Sequence, residues 1–406
     1  MGNMHLDLPL EEARSAHKPA AWGAVCALSL GAFALIASEF MPVSLLTPIA
    51  ADLGISEGQA GQAIAISGAF ALVTSLLFPT LAGRIDRKRL LLGLTLLMIA
   101  SGTLVALAPN YGVFMAGRAL IGVAIGGFWS MSAAIAMRLV PPHQVARALA
   151  ILNGGNALAT VVAAPAGSYL GALVGWRGAF FCVVPVAALA LVWKFASLPA
   201  LPAQHGGASA NLFRLARRPA VALGLAAVSV FFMGQFALFT YLRPFLERVT
   251  QVDVSTLSFV LLLVGVAGFV GTSVIGGFLK QGLYRVLVGI PLLMAGIAGG
   301  LIAFGASLPV TAVLLAAWGL VATAAPVGWW MWLSTTLPHE AEAGGGLMVA
   351  VIQLAIMLGA TVGGFLFDLS GYRATFGASA GLLVLAALLA VGAARLSHLS
   401  IHKEST

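Results

Sequence analysis

The sequence contains very little charge. Asp, Glu, Lys and Arg make up 8% of its 406 residues, while 60% are hydrophobic; in soluble domains about a quarter of the residues are charged. A soluble protein of this size needs polar residues to cover its surface, and this chain has too few of them. The composition therefore excludes a soluble protein and predicts a membrane protein that crosses the bilayer many times.

Cysteine and enzyme motifs are also scarce. The two cysteines, Cys26 and Cys182, both lie in apolar segments, so we predict no disulfide framework and interpret them as small hydrophobic residues. The sequence has no phosphate-binding GxxxxGK[ST] loop and no His or Cys cluster with metal-ligand spacing. We therefore expect neither an enzyme nor a cofactor, and the energy for any uphill step has to come from an ion gradient or a solute gradient.

Long apolar runs dominate what is present. A transmembrane helix needs about 20 predominantly apolar residues, and twelve such runs follow one another. They cover approximately residues 22–46, 58–82, 90–108, 112–136, 147–173, 178–197, 219–242, 256–279, 286–305, 309–333, 345–367 and 375–396. We therefore predict an all-α polytopic membrane protein with twelve transmembrane helices in two pseudo-symmetric six-helix bundles. Its parts are a tail (1–21), a first bundle (22–197), a polar linker (198–218), a second bundle (219–396) and a second tail (397–406).

The basic residues predict the orientation. Of the 21 Lys and Arg residues, one falls in the interior of a run and four fall in loops on one side of the predicted membrane. Those five are Arg118 and then Arg177, Arg243, Arg248 and Arg373. The other sixteen, among them Lys194, fall in the tails, in the loops or at the ends of the runs on the opposite side. Because basic residues are enriched in cytoplasmic loops, both tails are predicted to be cytoplasmic, and the net charge of +8 reflects orientation rather than nucleic-acid binding.

Two pairs of similar segments, called echoes below, link the two halves of the chain. GSYLGALVGWRGAF (167–180) aligns without a gap with GGFLFDLSGYRATF (363–376) at an offset of 196, and six of fourteen positions are identical. GAFAL at Gly31 resembles GQFAL at Gly234. These echoes pair the fifth run with the eleventh and the first with the seventh. Such parallel repeats are typical of transporters whose site lies near mid-membrane between two bundles.

Glu39 stands alone in the stretch ALIASEFMPVSLLTP, with no other charged residue between Lys18 and Asp52. A carboxylate in hydrocarbon costs at least about 2.5 to 3.5 kcal/mol on insertion scales, and removal from water favours the protonated form of a carboxyl group. Glu39 must therefore face a cavity, pair with a cation or bind a proton. A carboxyl group that exchanges a proton as access alternates can couple a proton gradient to solute movement. The alternative is a structural carboxyl group held in an interhelical or capping hydrogen bond.

Arg118 is the basic residue inside a span. Arginine does not release its proton in proteins, so it has to pair or meet water. Gly122 and Gly126 follow it at helical spacing and allow a close helix neighbour. We predict that Arg118 takes part in proton coupling through Glu39, and the alternative is a bundle-stabilising residue that binds carbonyl groups.

Polar and aromatic side chains in other spans are candidates for a substrate cavity. They are Phe128, Trp129, Asn153, Asn156, Gln235, Tyr241 and Gln353. Each has a structural alternative, because amides bond across helices and aromatic rings more commonly pack in the core. Asp86 beside Arg87, in the loop after the second run, is a candidate gating pair, and the alternative there is a solvated loop.

Several segments resemble a known family. EFMPVSLLTPIAADLGISEG (39–58), GGFWSMSAAIAMRLVPP (126–142), GWRGAFF (175–181) and FTYLRPFL (239–246) are similar to segments of the major facilitator superfamily, in its twelve-span, proton-coupled drug and solute efflux branch. The first two segments especially resemble bacterial proton antiporters of that branch that export purine ribonucleosides such as inosine and guanosine. The resemblance covers nearly the whole chain and implies a bacterial inner-membrane location.

The resemblance also implies roles for individual residues. Glu39 looks like the branch's membrane-embedded acid, and Arg118 with Gly122 looks like its span-four motif, thought to assist proton transfer. Pro165 and Gly167 look like the antiporter motif of span five, although Ala164 stands where that motif has glycine. The loop motif that contains Asp86 and Arg87 also departs from the family, with Ala82 at its usual first glycine and a compressed DRKRL.

These observations favour proton-coupled export of a small polar solute, and a purine ribonucleoside first. A drug or sugar efflux pump of the same family remains an alternative. So does a member of another class, an uncoupled facilitator or a solute sensor, which should tolerate Glu39→Gln. We expect the solute, protons and lipid as partners, no nucleic acid, and a monomer.

Overall fold

The computed structural model describes residues 20–82, 85–202, 218–337 and 341–404. Within these ranges the regular structure is helical and there is no strand, so the all-α prediction is confirmed. The helices of the first half, spans 1 to 6, are Trp22–Leu53, Glu57–Ala82, Arg87–Ala106, Tyr111–Arg138, Val145–Phe181 and Val183–Ser197. Spans 7 to 9 of the second half are Pro219–Phe239, Val254–Gln281 and Leu283–Phe304.

The remaining spans are interrupted or joined helices. Span 10 consists of Leu308–Ala322 and Ala325–Thr336, and spans 11 and 12 lie within Ala341–Glu404. Among the described residues, ten helical stretches are apolar and long enough to cross a membrane, and two of them, of 56 and 53 residues, are long enough to cross twice. This count is consistent with twelve spans. The end of the molecule where spans 1 and 2 are joined, predicted to be extracellular, is called the outer end below.

Both double-length helices break at a glycine. Gly175 has φ 74° and ψ 165°, and Gly371 has φ 74° and ψ −173°, a backbone conformation that is essentially restricted to glycine. The two residues are separated by the 196 positions that relate the sequence echoes. The repeat is therefore present in the backbone, and it reverses the chain between spans 5 and 6 and again between spans 11 and 12.

The halves contact each other through a second repeated pair of helices. A Cβ atom built on Gly68 of span 2 would lie 3.4 Å from the Cβ of Met357 in span 11, and one built on Gly265 of span 8 would lie 2.7 Å from the Cα of Val161 in span 5. Gly68 and Gly265 are 197 positions apart and Met357 and Val161 are 196 apart. The interface between the halves thus has approximate two-fold symmetry, with spans 2 and 11 on one side and spans 8 and 5 on the other.

Polar side chains cap the first turns of spans 3, 4 and 8, and apolar side chains cover the outer faces of the helices. Asp253 precedes span 8 and accepts the Thr256 backbone N–H at 3.2 Å; hydrogen bonds from Ser255 and Thr256 lower the pKa of this carboxyl group to about 2. Large side chains such as Phe278 and Leu388 are 59% and 63% exposed. An apolar surface of this kind is a liability in water but suits contact with lipid, which supports the membrane assignment.

The structure corrects one placement made from the sequence. Lys194, counted above among cytoplasmic basic residues, is 1% exposed and lies inside the first bundle. Its Nζ donates to Thr95 Oγ1 at 2.9 Å and lies 5.3 Å from the ring centroid of Phe128. The side chain extends inward alongside Gly31, where a Cβ atom would be 2.3 Å from Nζ. Glycine in span 1 therefore gives the lysine room to turn away from the membrane surface.

Gly371→Ala is expected to destabilise the protein by about 1–3 kcal/mol, because alanine rarely adopts this backbone conformation. The site has open space around it, so a steric clash does not contribute. Thermal unfolding of the purified protein in detergent measures the effect. Gly377→Ala is the control, since Gly377 lies in the same helix, also has open space and has no positive φ. Equal stability of the two variants would contradict this account of the break.

Candidate functional site

Glu39 lies near the middle of span 1 and is 3% exposed. Two polar side chains act on its carboxyl group, the amide of Gln353 in span 11 and the guanidinium group of Arg118 in span 4. No described basic side chain lies within ion-pair distance of the carboxyl oxygens. The carboxyl group therefore meets an amide from the other half of the molecule rather than a salt-bridge partner.

The guanidinium group of Arg118 binds backbone carbonyls. It is fully buried, and it donates from Nη1 to Ser38 O at 2.7 Å, from Nη2 to Glu39 O at 3.0 Å and from Nε to Ala63 O at 3.2 Å. Proline lacks an N–H, so Pro42 leaves the carbonyl four residues earlier, that of Ser38, without its helical partner. Arg118 supplies that partner. This geometry agrees with the structural interpretation of Arg118, and a role in proton transfer stays a prediction.

A close contact between spans 2 and 4 sets the position of Arg118. A Cβ atom on Gly122, one turn after Arg118, would lie 2.3 Å from Ser67 O in span 2. Only glycine permits this approach, and it brings Arg118 within reach of Ser67 Oγ at 3.4 Å as well as of the carbonyls. Arg118 and Gly122, which belong to one sequence motif, therefore lie at the same contact between spans 2 and 4.

The two halves also meet through aromatic rings beside Glu39. The ring of Phe40, the next residue in span 1, stacks on Phe236 of span 7 with centroids 5.7 Å apart and planes inclined by 22°. This stack joins span 1 to span 7, and Gln353 of span 11 is a polar neighbour of Glu39. The level of Glu39 is therefore a place where the two bundles touch.

Further contacts close the outer end. Asp368, near the outer end of span 11, accepts the backbone N–H of Gly58 at 2.9 Å and the hydroxyl of Ser56 at 2.5 Å. Both donors belong to the start of span 2, so a carboxylate from one half caps a helix of the other half, where it is also favoured by the helix dipole. Arg248 of the second half forms an ion pair with Glu57 of the first.

Two more side chains reinforce this closure. Arg243 is 6% exposed, donates to Ser44 O in span 1 and pairs with Glu247 at 2.7 Å. Tyr241 donates to Ala360 O at 2.8 Å, stacks on Phe367, and sits where a Cβ on Gly61 of span 2 would be. Between described residues, the side-chain hydrogen bonds that join the bundles all lie outward of Glu39. The structure is therefore closed at its outer end.

The predicted gating pair lies at the opposite end. Asp86 caps span 3 by accepting Lys88 N at 2.8 Å, and its second oxygen accepts Leu201 N at 2.8 Å. The backbone N–H of Arg87 donates to Leu201 O at 2.9 Å. These bonds fasten the loop between spans 2 and 3 to the segment that follows span 6, within the first half. A gating role for Asp86 and Arg87 stays a prediction.

The aromatic and amide candidates for a cavity are dispersed. Phe128 is 4% exposed beside Lys194, and Trp129 meets it edge-on with centroids 5.4 Å apart. In span 5, Asn153 is exposed and donates to Leu149 O at 2.9 Å, while Asn156 is half-buried. Burial in the first bundle agrees with the packing interpretation of Phe128.

Three buried amide oxygens have no hydrogen-bond partner among the described atoms, and two of them lie inside spans. These two are the Oε1 atoms of Gln235 in span 7 and Gln353 in span 11, and the third is that of Gln144, before span 5. Because leaving a buried acceptor unpaired is costly, each is a place for a donor such as a substrate N–H or O–H group or a water molecule. Of the candidates named from the sequence, these two have the chemistry best suited to a ligand.

The antiporter-motif candidates lie at the contact between spans 5 and 1. A Cβ on Gly167 would be 2.5 Å from Ser44 Oγ, so glycine allows the helices to approach. Pro165 leaves Val161 O without its helical partner, and that carbonyl faces span 8, where a Cβ on Gly265 would be 2.8 Å from it. The Val161 carbonyl that Pro165 frees therefore lies at the interface between the two bundles.

Sequence reasoning missed Asp368, Arg243 and the burial of Lys194. Asp368 and Arg243 were visible as charged residues at the ends of spans 11 and 7, but their partners lie 310 and 199 residues away in sequence. A lone charge at the end of an apolar run does not distinguish a solvated residue from one that reaches into a neighbouring bundle.

The sequence matches the profile of the Major Facilitator Superfamily over residues 28–355. The chain belongs to the major facilitator superfamily. A relative from Pseudomonas aeruginosa, named transcription regulatory protein OpdE, is 59% identical over 381 residues, which are 92% of this chain and 94% of that protein. The purine ribonucleoside efflux pump NepI of Salmonella typhimurium is 41% identical over 379 residues, covering 93% and 96% of the two chains.

Solved structures of superfamily transporters share the fold. A bacterial homologue of the human lysosomal transporter Spinster, in an inward-facing and occupied conformation, superposes with a TM-score of 0.74 at 17% identity, covering 93% of this chain and 97% of that one. The human organic anion transporter MFSD10 gives 0.64 at 18% identity, covering 93% and 99%. The fold of this chain is therefore that of a superfamily transporter, and its helices are consistent with twelve spans.

Arg118→Met is expected to destabilise the protein by about 1–3 kcal/mol, because it leaves the buried Ser38 carbonyl unpaired. Pro42→Ala in the same chain returns an N–H to span 1 that can bind this carbonyl. The loss of stability in the double variant should therefore be smaller than the sum of the losses in the two single variants. Thermal unfolding in detergent provides the comparison, and simple additivity would contradict the pairing of Arg118 with the carbonyl freed by Pro42.

Reversing either charge of the Glu57–Arg248 pair is expected to open the outer end, since Glu57→Arg or Arg248→Glu places like charges together. The double reversal should restore closure. Spin labels at the exposed positions Leu107 and Leu369, in a variant without Cys26 and Cys182, report the separation of the two halves by electron paramagnetic resonance. Unchanged distances in both single variants would mean that the pair does not hold the outer end closed.

Proposed function

We propose that this superfamily member exports purine ribonucleosides in exchange for protons, by alternating access across the inner membrane of a bacterium, with both termini in the cytoplasm. The observation that carries the proposal is Glu39. Its carboxyl group is buried at mid-membrane, has no described ion-pair partner and contacts the second bundle through Gln353. Intramembrane acids of this kind usually mark ion or proton pathways.

Proton coupling requires a group whose charge can change during the cycle. Arg118 does not qualify as the group that releases the proton, because a guanidinium stays protonated and its donors bind carbonyls of spans 1 and 2. Glu39 is then the proton carrier, and Arg118 holds the backbone of span 1 around it. A protonated Glu39 carries no charge into the bilayer interior, which removes the penalty of moving the site between the two sides.

The choice of a purine ribonucleoside as the solute rests on the named relatives and on the two amide oxygens inside spans that lack a hydrogen-bond partner. The Salmonella protein with 41% identity is named a purine ribonucleoside efflux pump. A nucleoside combines a flat base with N–H and O–H donors, which suit the unpaired Oε1 atoms of Gln235 and Gln353. The hydroxyl groups of the ribose and the N–H groups of the base are the donors that would bind these two oxygens.

A second candidate function is a solute sensor. The relative with 59% identity is named a transcription regulatory protein, and a sensor needs solute binding but no net transport. The two functions differ in a measurable property. An antiporter accumulates solute against its gradient when a pH gradient is imposed, whereas a sensor or an uncoupled facilitator does not.

Efflux of radiolabelled inosine or guanosine from loaded vesicles, with and without an imposed pH gradient, tests the proposal. The gradient is expected to drive nucleoside movement against its concentration gradient. Nucleoside movement without gradient dependence would favour a facilitator. Absence of both movement and competition would remove nucleosides as substrates and leave the superfamily assignment in place.

Glu39→Gln is expected to abolish uphill nucleoside transport, because glutamine does not release a proton, while binding or exchange of nucleoside is at least partly retained. The readout is inosine accumulation and inosine exchange in the same reconstituted vesicles. Asp253→Asn is the matched control, since it neutralises an exposed acid outside the spans and asparagine is also a good helix cap. Full uphill transport by Glu39→Gln would remove Glu39 from the coupling mechanism.

A further inference from the structure

The surface of the second bundle carries an apolar groove between spans 8, 9 and 10. This apolar groove has a volume of about 320 Å³, which lies within the size range of ligand sites in proteins. It begins near the end of the molecule opposite the outer end, called the inner end below and predicted to be cytoplasmic, and it extends to about the middle of the membrane. A cavity with apolar walls does not hold water well, so a hydrocarbon chain is the occupant that suits it. Its walls include Gly271, Val274, Phe278, Val286, Leu293 and Leu320.

A second groove, of about 450 Å³, lies on the neighbouring face of span 9, between spans 9 and 12. It contains Arg285 of span 9 and Arg395 of span 12 and is called the arginine groove below. Gly289 lines both grooves. A Cβ atom built on Gly289 would have no neighbouring atom within 4 Å, so no side chain separates the two grooves at this point. The grooves therefore form one continuous surface across span 9.

The two arginines of the arginine groove have no partner within the part of the chain that the structure describes. Both are exposed, and neither takes part in a hydrogen bond or an ion pair with another described residue. Two like charges in one groove repel each other, and an anion between them turns this repulsion into attraction. Guanidinium groups bind phosphate oxygens through paired hydrogen bonds, so a phosphate group is the anion that this pair suits.

The order of charged and apolar residues matches a phospholipid. Arg285 lies four residues, or about 6 Å, before Gly289 on the same face of span 9, and the apolar walls continue from there toward the middle of the membrane. A free phosphate ion would use the arginines alone, and an uncharged hydrocarbon would use the apolar groove alone. A phospholipid uses both, and basic pockets between spans on the cytoplasmic side bind anionic head groups in membrane proteins.

We propose that a two-chain anionic phospholipid of the inner leaflet binds across span 9. Its phosphate group lies between Arg285 and Arg395, one acyl chain fills the apolar groove, and the other extends along the arginine groove over Gly289. Binding involves no covalent step. The inference concerns the second bundle alone and does not depend on which solute the protein moves.

The bound lipid covers an interruption in span 10. This span consists of two helices, and Val321 and Ala324, on either side of the break, line the apolar groove. The Thr272 hydroxyl of span 8 donates to Thr323 O at 3.1 Å, so the protein itself provides a partner for this carbonyl at the break. A hydrocarbon chain in the groove excludes water from the same place. Lipid binding is therefore expected to raise the unfolding temperature of the protein.

Native mass spectrometry of the purified, delipidated protein in detergent tests the head-group contact. Phosphatidylglycerol is expected to bind more tightly than phosphatidylcholine with the same acyl chains. Arg285→Gln and Arg395→Gln are each expected to weaken phosphatidylglycerol binding about five-fold, the contribution of one basic residue beside an anionic lipid. Arg89→Gln is the control, because Arg89 is an exposed arginine at the inner end of span 3, in the other half of the molecule, and this variant should keep the full affinity.

Gly289→Leu tests the position of the acyl chains. Its side chain would occupy space in both grooves without meeting another part of the protein. It is therefore expected to weaken phosphatidylglycerol binding and to leave the unfolding temperature of the lipid-free protein unchanged. Gly296→Leu is the matched control, because Gly296 lies in the same helix, also has open space around it and lines neither groove.

Three results would overturn the proposal. The first is equal affinity for the two lipids, or full affinity in both arginine variants. The second is phosphatidylglycerol binding that is as tight in Gly289→Leu as in Gly296→Leu. The third is a rise in unfolding temperature with inorganic phosphate that equals the rise with phosphatidylglycerol, because this would identify a site for a soluble anion. A rise with the lipid alone supports the lipid site.

Discussion

A carboxyl group in the middle of a bilayer constrains everything around it, since its charged form is costly there and its neutral form needs hydrogen-bond partners. In this protein Glu39 is buried, and an amide from the opposite bundle, that of Gln353, is its polar neighbour. The arginine nearest to it is committed to backbone carbonyls. The resulting site is polar, buried and located where the two halves touch.

Proline determines much of the surrounding geometry. Pro42 removes the helical partner of Ser38 O, and Pro165 removes that of Val161 O. Arg118 binds the first carbonyl, while the second faces span 8 at Gly265, where no side chain would fit. Freed carbonyls inside a membrane have to be satisfied within the protein, so each proline is found where a neighbouring helix comes close.

The spans, their order and the isolated acid could be predicted from sequence, because length and apolarity alone decide whether a segment can cross a bilayer. The repeat was visible for a similar reason: Gly175 and Gly371 occupy equivalent positions, and their backbone conformation confirms it. The partners of the polar residues could not be predicted. Asp368 caps a helix of the first half by accepting an N–H group 310 residues earlier. Lys194 is buried because Gly31 leaves space for it. Neither relation leaves a local pattern in the sequence.

The central claim is that Glu39 carries the proton that is exchanged for solute, and it requires Glu39 to give up this proton when solute binds. Infrared difference spectroscopy of the reconstituted protein, recorded on addition of inosine at constant pH, observes this step through the carbonyl stretch of a protonated carboxyl group. The account predicts that a band of this kind is lost on binding and that the band is missing from the spectrum of Glu39→Gln. An unchanged carboxyl region on inosine binding, or the same band loss in Glu39→Gln, would contradict it.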